Sequence, residues 1–290
     1  MNARQVPERL PDLAADAERV ARLALEEDGP RDLSSEVTLT TSPHTSARVE
    51  LRGEGVLAGA TYATAVARLC DFTVDWLVGE GQPVVDSSVA RLRGGLAGIL
   101  RGERPLLNLL QRASGIATAT RACVDAVAGT GCRVLHTRKT APGLRLFDAA
   151  AVVAGGGLVH RLDLAHTVLI KDNHWRALRK ARRSLADAFA EARRRGAHDC
   201  QVEVESPEQL EEACAAGAAR LLLDNQPPDT VRRWAERARA LAPGIAIEAT
   251  GRITRDNIRA YADAGADFVS LGALTHSVRA LDLAITLENA

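Results

Sequence analysis

No surplus of charge marks this chain: 37 Lys and Arg balance 37 Asp and Glu over 290 residues, and the pI is near 7.1. The basic footprint of a nucleic-acid or anionic-membrane binder is therefore missing. Long apolar runs are missing too. The longest uncharged apolar stretch, 149–159, has 11 residues, whereas a spanning helix needs about 20. The first 20 residues carry charges throughout and no apolar core, so no signal peptide is expected and a cytoplasmic location is. Cys70, Cys123, Cys132, Cys200 and Cys214 are odd in number, and no two are spaced as C-x-x-C. A zinc cluster or disulfide framework is not expected; buried free thiols in a reducing compartment are. Lysine is nearly absent: Lys139, Lys171 and Lys180 stand against 34 arginines. Arginine is the default surface cation here. A retained lysine thus points to what lysine alone provides, a compact ammonium acting as a point charge toward phosphate or carboxylate.

What remains is ordinary globular composition, with 46% hydrophobic and 26% charged residues, enough for one large domain or two modest ones. The first hundred residues combine an amphipathic segment at 11–27, a turn-rich stretch at 28–35 and strand-like runs at 47–57, 72–78 and 89–100. Glycines punctuate the runs, and a helix is expected at 62–70. This predicts a small α+β domain. A long helix is expected from Glu103 to about residue 129, bridging to a second domain.

From Cys132 onward the pattern changes. Short apolar runs at 134–135, 168–170, 202–204, 221–223, 245–247 and 268–271 alternate with helical stretches such as 178–195, 207–216, 229–240 and 256–264. Such alternation predicts parallel β/α units with strands covered on both faces. Each strand ends in polar or glycine residues: His136-Thr137-Arg138-Lys139, Lys171-Asp172-Asn173, Glu203-Val204-Glu205, Asp224-Asn225, Glu248-Ala249-Thr250-Gly251 and Gly272-Ala273. A β/α barrel builds its active site at that end. An open doubly wound sheet would draw on one or two crevices rather than on all six strands, so a barrel is the better expectation.

Arg138, Lys139, Lys171, Glu203 and Asp224, joined by His160 and Arg161 after Gly155-Gly156-Gly157, then share one mouth. Any one of them could be a surface ion pair; convergence of all is harder to explain that way. Clustered cations suit a substrate rich in carboxylate or phosphate. The carboxylates suit a divalent cation bound beside phosphate oxygens. Glycines in the loops after the last two strands let backbone N–H groups approach a phosphate. His166, His174 and His198 read as surface or capping residues. His276 reads either as a cap or as a neighbour of the phosphate.

Several longer stretches resemble the quinolinate phosphoribosyltransferase family. They are Glu103-Arg-Pro-Leu-Leu-Asn-Leu-Leu-Gln-Arg-Ala-Ser-Gly-Ile-Ala-Thr, Thr137-Arg-Lys-Thr-Ala-Pro-Gly-Leu-Arg, Gly155-Gly-Gly-Leu-Val-His-Arg, Leu169-Ile-Lys-Asp-Asn-His, Val202-Glu-Val-Glu, Leu223-Asp-Asn and Gly272-Ala-Leu-Thr-His-Ser. The resemblance implies an α/β protein. An N-terminal α/β sandwich at 1–115, completed by the tail 276–290, would accompany an open, seven-stranded β/α barrel of the type II phosphoribosyltransferase kind at 116–275. It implies transfer of phosphoribosyl from phosphoribosyl pyrophosphate to quinolinate with decarboxylation, in NAD biosynthesis, with Mg2+ as cofactor. Thr137, Arg138, Lys139, His160 and Arg161 would hold quinolinate, with Arg104 donated across a homodimer or higher oligomer. Lys171, Glu203, Asp224, Thr250, Gly251, Arg252, Leu271, Gly272 and Ala273 would hold phosphoribosyl pyrophosphate. Lys139, Glu203 and Asp224 would be catalytic, and Glu203 and Asp224 would lie near the metal. Neither nucleic acid nor a membrane is implied as a partner.

The chain departs from the family pattern twice. His136 stands where an aspartate is usual, and Arg252 where a glycine is usual. Arginine is ill suited to positive φ, so either position 252 avoids such angles or Arg252 contributes something else. Two rival readings stay open on the residues alone: a same-fold paralogue linked to molybdenum transport with another substrate, and a catalytically silent nucleotide-binding protein.

Overall fold

The computed structural model describes residues 10–197 and 199–288; His198 lies outside them. In chain order the elements are α1 (Ala14–Glu27), α2 (Leu33–Thr38), β1 (His44–Val56), α3 (Ala60–Leu69), β2 (Phe72–Trp76), β3 (Pro83–Gly95), α4 (Leu96–Ala126), β4 (Arg133–Leu135), α5 (Arg145–Ala154), β5 (Thr167–Ile170), α6 (Asp172–Lys180), α7 (Leu185–Arg194), β6 (Asp199–Val204), α8 (Pro207–Ala215), β7 (Arg220–Asp224), α9 (Pro228–Leu241), β8 (Ala246–Thr250), α10 (Ile258–Asp263), β9 (Phe268–Ser270), α11 (Ala273–His276) and β10 (Asp282–Leu287). They form two compact units. No helix among the described residues is long and apolar enough to cross a membrane.

One unit runs to Arg121 and adds Thr140–Gly156 and the segment from Leu274. Its antiparallel sheet has the order β10-β1-β3-β2. Period-two alternation buries Ala47, Val49 and Leu51 of β1. The late strand β10 closes one edge, pairing from Ala47↔Leu287 to Arg52↔Asp282. The unit differs from expectation in two ways. Residues 96–100, read as strand, open α4 instead: Gly94-Gly95 ends β3, and an apolar run that short fits either structure. Segment 140–156, expected in the barrel, clusters here. Asp148 is fully buried in a bidentate pair with Arg112 (Nε–Oδ1 3.0 Å, Nη2–Oδ2 2.8 Å). Phe147 meets Tyr62 edge-on, and Gly155 packs so tightly on α4 that a Cβ there would lie 2.4 Å from the Ala117 carbonyl oxygen.

The other unit holds 122–139 and 157–273 among its described residues. Six parallel strands form one sheet in the order β4-β9-β8-β7-β6-β5, the alternation of strands and helices having required parallel pairing. β4 and β5 do not pair, so the barrel is open. A seventh strand is reduced to one residue, Leu158, bridged in parallel to Leu135. Leu135, Ala246 and Phe268, with Leu158 against them, form an apolar floor. The Arg133 and Arg220 guanidinium carbons lie 4.5 and 4.3 Å from the Phe268 ring centroid, a cation–π arrangement.

The stretch 178–195 is two helices rather than one. α6 ends at Lys180, Arg182 takes a φ of 52°, and Ser184 with Asp187 forms a capping box that starts α7. The five cysteines are free thiols, four of them buried. Burial pushes the Cys132 thiol up to about 12.

Candidate active site

Successive strand residues alternate faces, so Arg220, Leu222 and Asp224 of β7 share one side, as do Glu248 and Thr250 of β8. At the carboxyl ends of the strands a cavity of about 560 Å³ opens within the barrel unit. Its lining includes Thr137, Arg138, Lys139, His160, Arg161, Lys171, Glu203, Asp224, Thr250, Gly251 and Arg252. The structure thus brings together most of the residues singled out in the sequence. Leu271, Gly272 and Ala273 do not line the cavity, and Ser270 stands there instead. Arg104 is exposed on α4 and is not among the lining residues.

On the β5–β7 side, Lys171 caps α6. Its backbone N–H donates to His174 Nδ1 (3.0 Å), which gives His174 its capping role. Lys171 Nζ pairs with Glu203 Oε2. The buried Trp175 indole donates to the Glu203 carbonyl oxygen (3.0 Å), tying α6 to the end of β6. Asp224 is pushed above the ordinary carboxylate range by burial. Lys171, a hydrogen bond from Asn225 and Lys139 draw it back, and Glu205 adds to the rise. A carboxylate in that condition gains from a cation or hydroxyl donor brought to it.

The β7 and β8 ends are closely fitted. The Asn225 N–H donates to the Thr250 carbonyl (2.9 Å), and a Cβ on Gly251 would lie 2.4 Å from Asn225 Oδ1. Gly251 has φ 82°, an angle that favours glycine, and Arg252 has φ 52°. Position 252 therefore does need a left-handed backbone, and an arginine holds it. The Asn257 side chain steadies the turn, donating to the Arg252 carbonyl (3.1 Å) and accepting from the Thr254 N–H (2.8 Å).

On the β4 side the cations are crowded. Arg161 is buried, with Nη1 3.4 Å from the Thr167 carbonyl. Burial first and the Arg138 charge second pull its pKa down, with Asp163 and Glu248 opposing. Buried Arg138 Nε has no hydrogen-bond partner. Donors left in that state are satisfied by an incoming carboxylate.

Glu248 is a site residue that sequence reasoning left out. It is fully buried at the cavity floor, between His160 Nε2 (3.2 Å) and Arg220 Nη1 (3.0 Å). Burial opposes its ionisation. The charges of His160 and Arg220, with hydrogen bonds from His160 and Ser270, outweigh that and hold the carboxyl at about 2. The available signal was a lone acid in the apolar run Ile245-Ala246-Ile247-Glu248-Ala249, two residues before Thr250 and so on the same face. Of the other histidines, His166 pairs with Asp163 at the surface (3.0 Å) and His276 Nδ1 meets Ser277 Oγ (2.7 Å).

Comparison with known proteins matches residues 116–286 to the C-terminal domain model of quinolinate phosphoribosyl transferase, and residues 32–114 to the N-terminal domain model. A probable nicotinate-nucleotide pyrophosphorylase (carboxylating) of Bacillus subtilis is 40% identical over 273 residues, 91% of each chain. The Mycobacterium leprae nicotinate-nucleotide pyrophosphorylase (carboxylating) is 37% identical over 287 residues, 96% of this chain and 100% of that one. The solved structure of the nicotinate-nucleotide pyrophosphorylase from Francisella tularensis superposes with a TM-score of 0.87 at 31% identity, covering 99% of both chains.

Proposed function

Because the chain belongs to the quinolinate phosphoribosyl transferase family, we infer that its barrel mouth is the place where that chemistry occurs. The protein is a carboxylating nicotinate-nucleotide pyrophosphorylase. It transfers phosphoribosyl from phosphoribosyl pyrophosphate to quinolinate, releasing pyrophosphate and carbon dioxide and forming nicotinate mononucleotide for NAD biosynthesis.

The observation that carries the placement is the crowding of Arg138, Lys139, His160, Arg161 and Lys171 on one cavity, with buried Arg138 Nε unsatisfied. Two carboxylates of quinolinate answer that charge. Arg138, His160 and Arg161 hold them, and Thr137 and Lys139 border the ring. Lys171, Thr250, Gly251 and Arg252 receive the phosphates. Attack of the pyridine nitrogen on C1 of the ribose expels pyrophosphate, and positive charge grows on that carbon. Glu203 and Asp224 supply the opposing field. No covalent protein nucleophile is needed, because orientation and charge lower the barrier. The quaternary ring nitrogen then stabilises the carbanion left at C2 when carbon dioxide departs, and a proton from solvent takes up that electron pair to give the product. Glu203 and Asp224 suit magnesium that arrives with pyrophosphate, because magnesium takes one or two carboxylates plus phosphate oxygens. No group of three or more His, Cys, Asp or Glu able to hold a metal occurs among the described residues. When bound, the ion neutralises charge on the leaving pyrophosphate. The test is an ultraviolet and carbon dioxide assay with quinolinate, phosphoribosyl pyrophosphate and magnesium. Product and carbon dioxide form only when both substrates are present. No release of carbon dioxide would leave the paralogue and the silent readings standing and remove this one.

Arg104 is proposed to act on a neighbouring subunit's site, since it is exposed on α4 and absent from its own cavity lining. Arg104→Ala and Lys139→Ala proteins, each nearly inactive, then regain activity on subunit exchange. Random reassortment of a symmetric dimer makes half the dimers mixed, each with one intact site, so about a quarter of wild-type activity returns. Verified mixed dimers that stay inactive would rule the trans role out.

Arg252 should contact the ribose 5′-phosphate. Arg252→Gly raises KM for phosphoribosyl pyrophosphate and leaves KM for quinolinate nearly unchanged. The difference shrinks as salt rises, because screening weakens exposed charge pairs. The melting temperature holds or rises, because glycine relieves about 1 kcal/mol of left-handed strain. An unchanged KM at low salt would return Arg252 to the solvated surface.

A further inference from the structure

Just before His160 the barrel's seventh strand runs out. The Leu158 N–H donates to the Val134 carbonyl (2.9 Å), and the His136 N–H donates to the Leu158 carbonyl (3.0 Å). These are the two bonds of a parallel bridge. In a longer ladder the next bond would run from the His160 N–H to the main-chain carbonyl of residue 136. It goes instead to the His136 side chain, with His160 N–H donating to Nδ1 at 2.8 Å. The imidazole has taken the place of the next rung. Both rings are buried, His136 completely. An accepting Nδ1 places the proton of neutral His136 on Nε2. His136, which departs from the family's usual aspartate, therefore still offers an acceptor there, without the charge.

The side chain of His160 is gripped from the opposite direction. Its Nε2 lies 3.2 Å from Glu248 Oε2, which also accepts from Arg220 Nη1 at 3.0 Å. Arg220 is seated on the Phe268 ring of the floor. With Nε2 engaged by Glu248, Nδ1 is the nitrogen of His160 left for substrate.

Building on the quinolinate reading of the site, we propose that His136 and Glu248 are positioning residues that clamp His160, one by its main chain and one by its ring, so that its Nδ1 is aimed at the bound quinolinate. Neither residue touches substrate in this scheme. His136 sets where the loop leaves the barrel, and Glu248 sets the rotation of the ring. Glu248 is suited to that task because it stays ionised despite full burial. The clamp lies on the pyridine side of the cavity, away from the Lys171–Glu203 pair that serves the phosphoribosyl side.

The test compares His136→Leu, His136→Asn and Glu248→Gln in the full-length protein, with quinolinate and phosphoribosyl pyrophosphate varied separately. His136→Leu and Glu248→Gln raise KM for quinolinate about tenfold or more, the usual scale for losing an orienting partner. KM for phosphoribosyl pyrophosphate stays within about twofold. His136→Asn, whose Oδ1 can accept the same N–H, stays within about threefold of wild type for both. Equal increases in the two KM values would mean general distortion and would overturn the clamp. So would an unchanged quinolinate KM in His136→Leu, or failure of Asn to rescue. If a variant does not fold, wild-type protein decides the matter by nitrogen NMR. A coupling across the hydrogen bond between the His160 amide and His136 Nδ1, kept when quinolinate binds, supports the clamp, and its absence overturns it. Wild-type protein that releases no carbon dioxide from quinolinate would overturn the underlying reading and the proposal together. Turnover in wild type with indifferent variants removes the clamp alone.

Discussion

Lys171→Arg lowers kcat/KM by about a hundredfold or more, the scale on which removal of one organised charge contact acts, and Lys139→Arg does the same. Lys180→Arg leaves the rate where it was. All three exchanges keep the formal charge, so only shape and hydration change. Lys171 directs its ammonium at Glu203 from the N-cap of α6, and the buried indole of Trp175 anchors the first turn of that helix to β6. A guanidinium there is wider, planar and committed to paired bonds. It takes both oxygens of Glu203 or intrudes on the space of the incoming phosphates. Lys139 borders the cavity, with its main chain bound to Thr137 Oγ1 at 3.2 Å. Lys180 is the last residue of α6 and faces no such fit. Steady-state kinetics on the three proteins settle the matter. Equal tolerance at all three positions would mean that lysine scarcity carries no functional information.

Asp148→Asn destabilises the protein by about 3 kcal/mol, the low end for breaking a buried ion pair, because Arg112 keeps some solvent contact. The corresponding fall in melting temperature is roughly 6–12 °C for a chain of this size. Asp148 has no solvent contact. It accepts both Arg112 bonds and also the Ala141 N–H at 3.0 Å. Asparagine offers one acceptor where three donors converge, and its own NH2 turns toward one of them. The arginine is left charged and half satisfied. Arg112→Lys keeps the charge but gives up the fork, and its loss should be smaller. A melt within 2 °C of wild type, about the shift of 1 kcal/mol or less, would show that solvent reaches the pair.

The barrel was legible because its chemistry is linear in the chain. Each strand announces itself as a short apolar run, and the next residues are polar or glycine. Most of the lining residues at the strand ends, from Thr137 to Gly251, were therefore readable from position, Glu248 excepted. Three kinds of information were not. A short apolar run beside glycines is ambiguous, which is why 96–100 looked like strand and became helix. A break in a helix can rest on one backbone angle, as at Arg182, where composition gives no warning. Buried charges pair across strands far apart in sequence, so the link of Glu248 to Arg220 and His160 has no local signature. Position 252 is the instructive intermediate. The sequence posed the question of a left-handed backbone, and the answer depended on Asn257 lying close enough to hold the turn.

The closure of the antiparallel sheet by β10 has a bearing on synthesis. β1 meets β3 early, but its other neighbour begins at Asp282, nearly 190 residues after β3 ends at Gly95. At about 5–20 residues per second the ribosome needs roughly 10–40 s to cover that distance. Throughout that interval all six barrel strands emerge while the open hydrogen-bonding side of β1 waits. An unpaired edge is a template for any passing strand, and a closure so distant in sequence is slow even after release. Until Asp282 emerges, the nascent chain therefore carries an edge open to non-native pairing. A stall or premature stop between residues 273 and 282 would leave all the barrel strands made beside an adhesive, incomplete sheet.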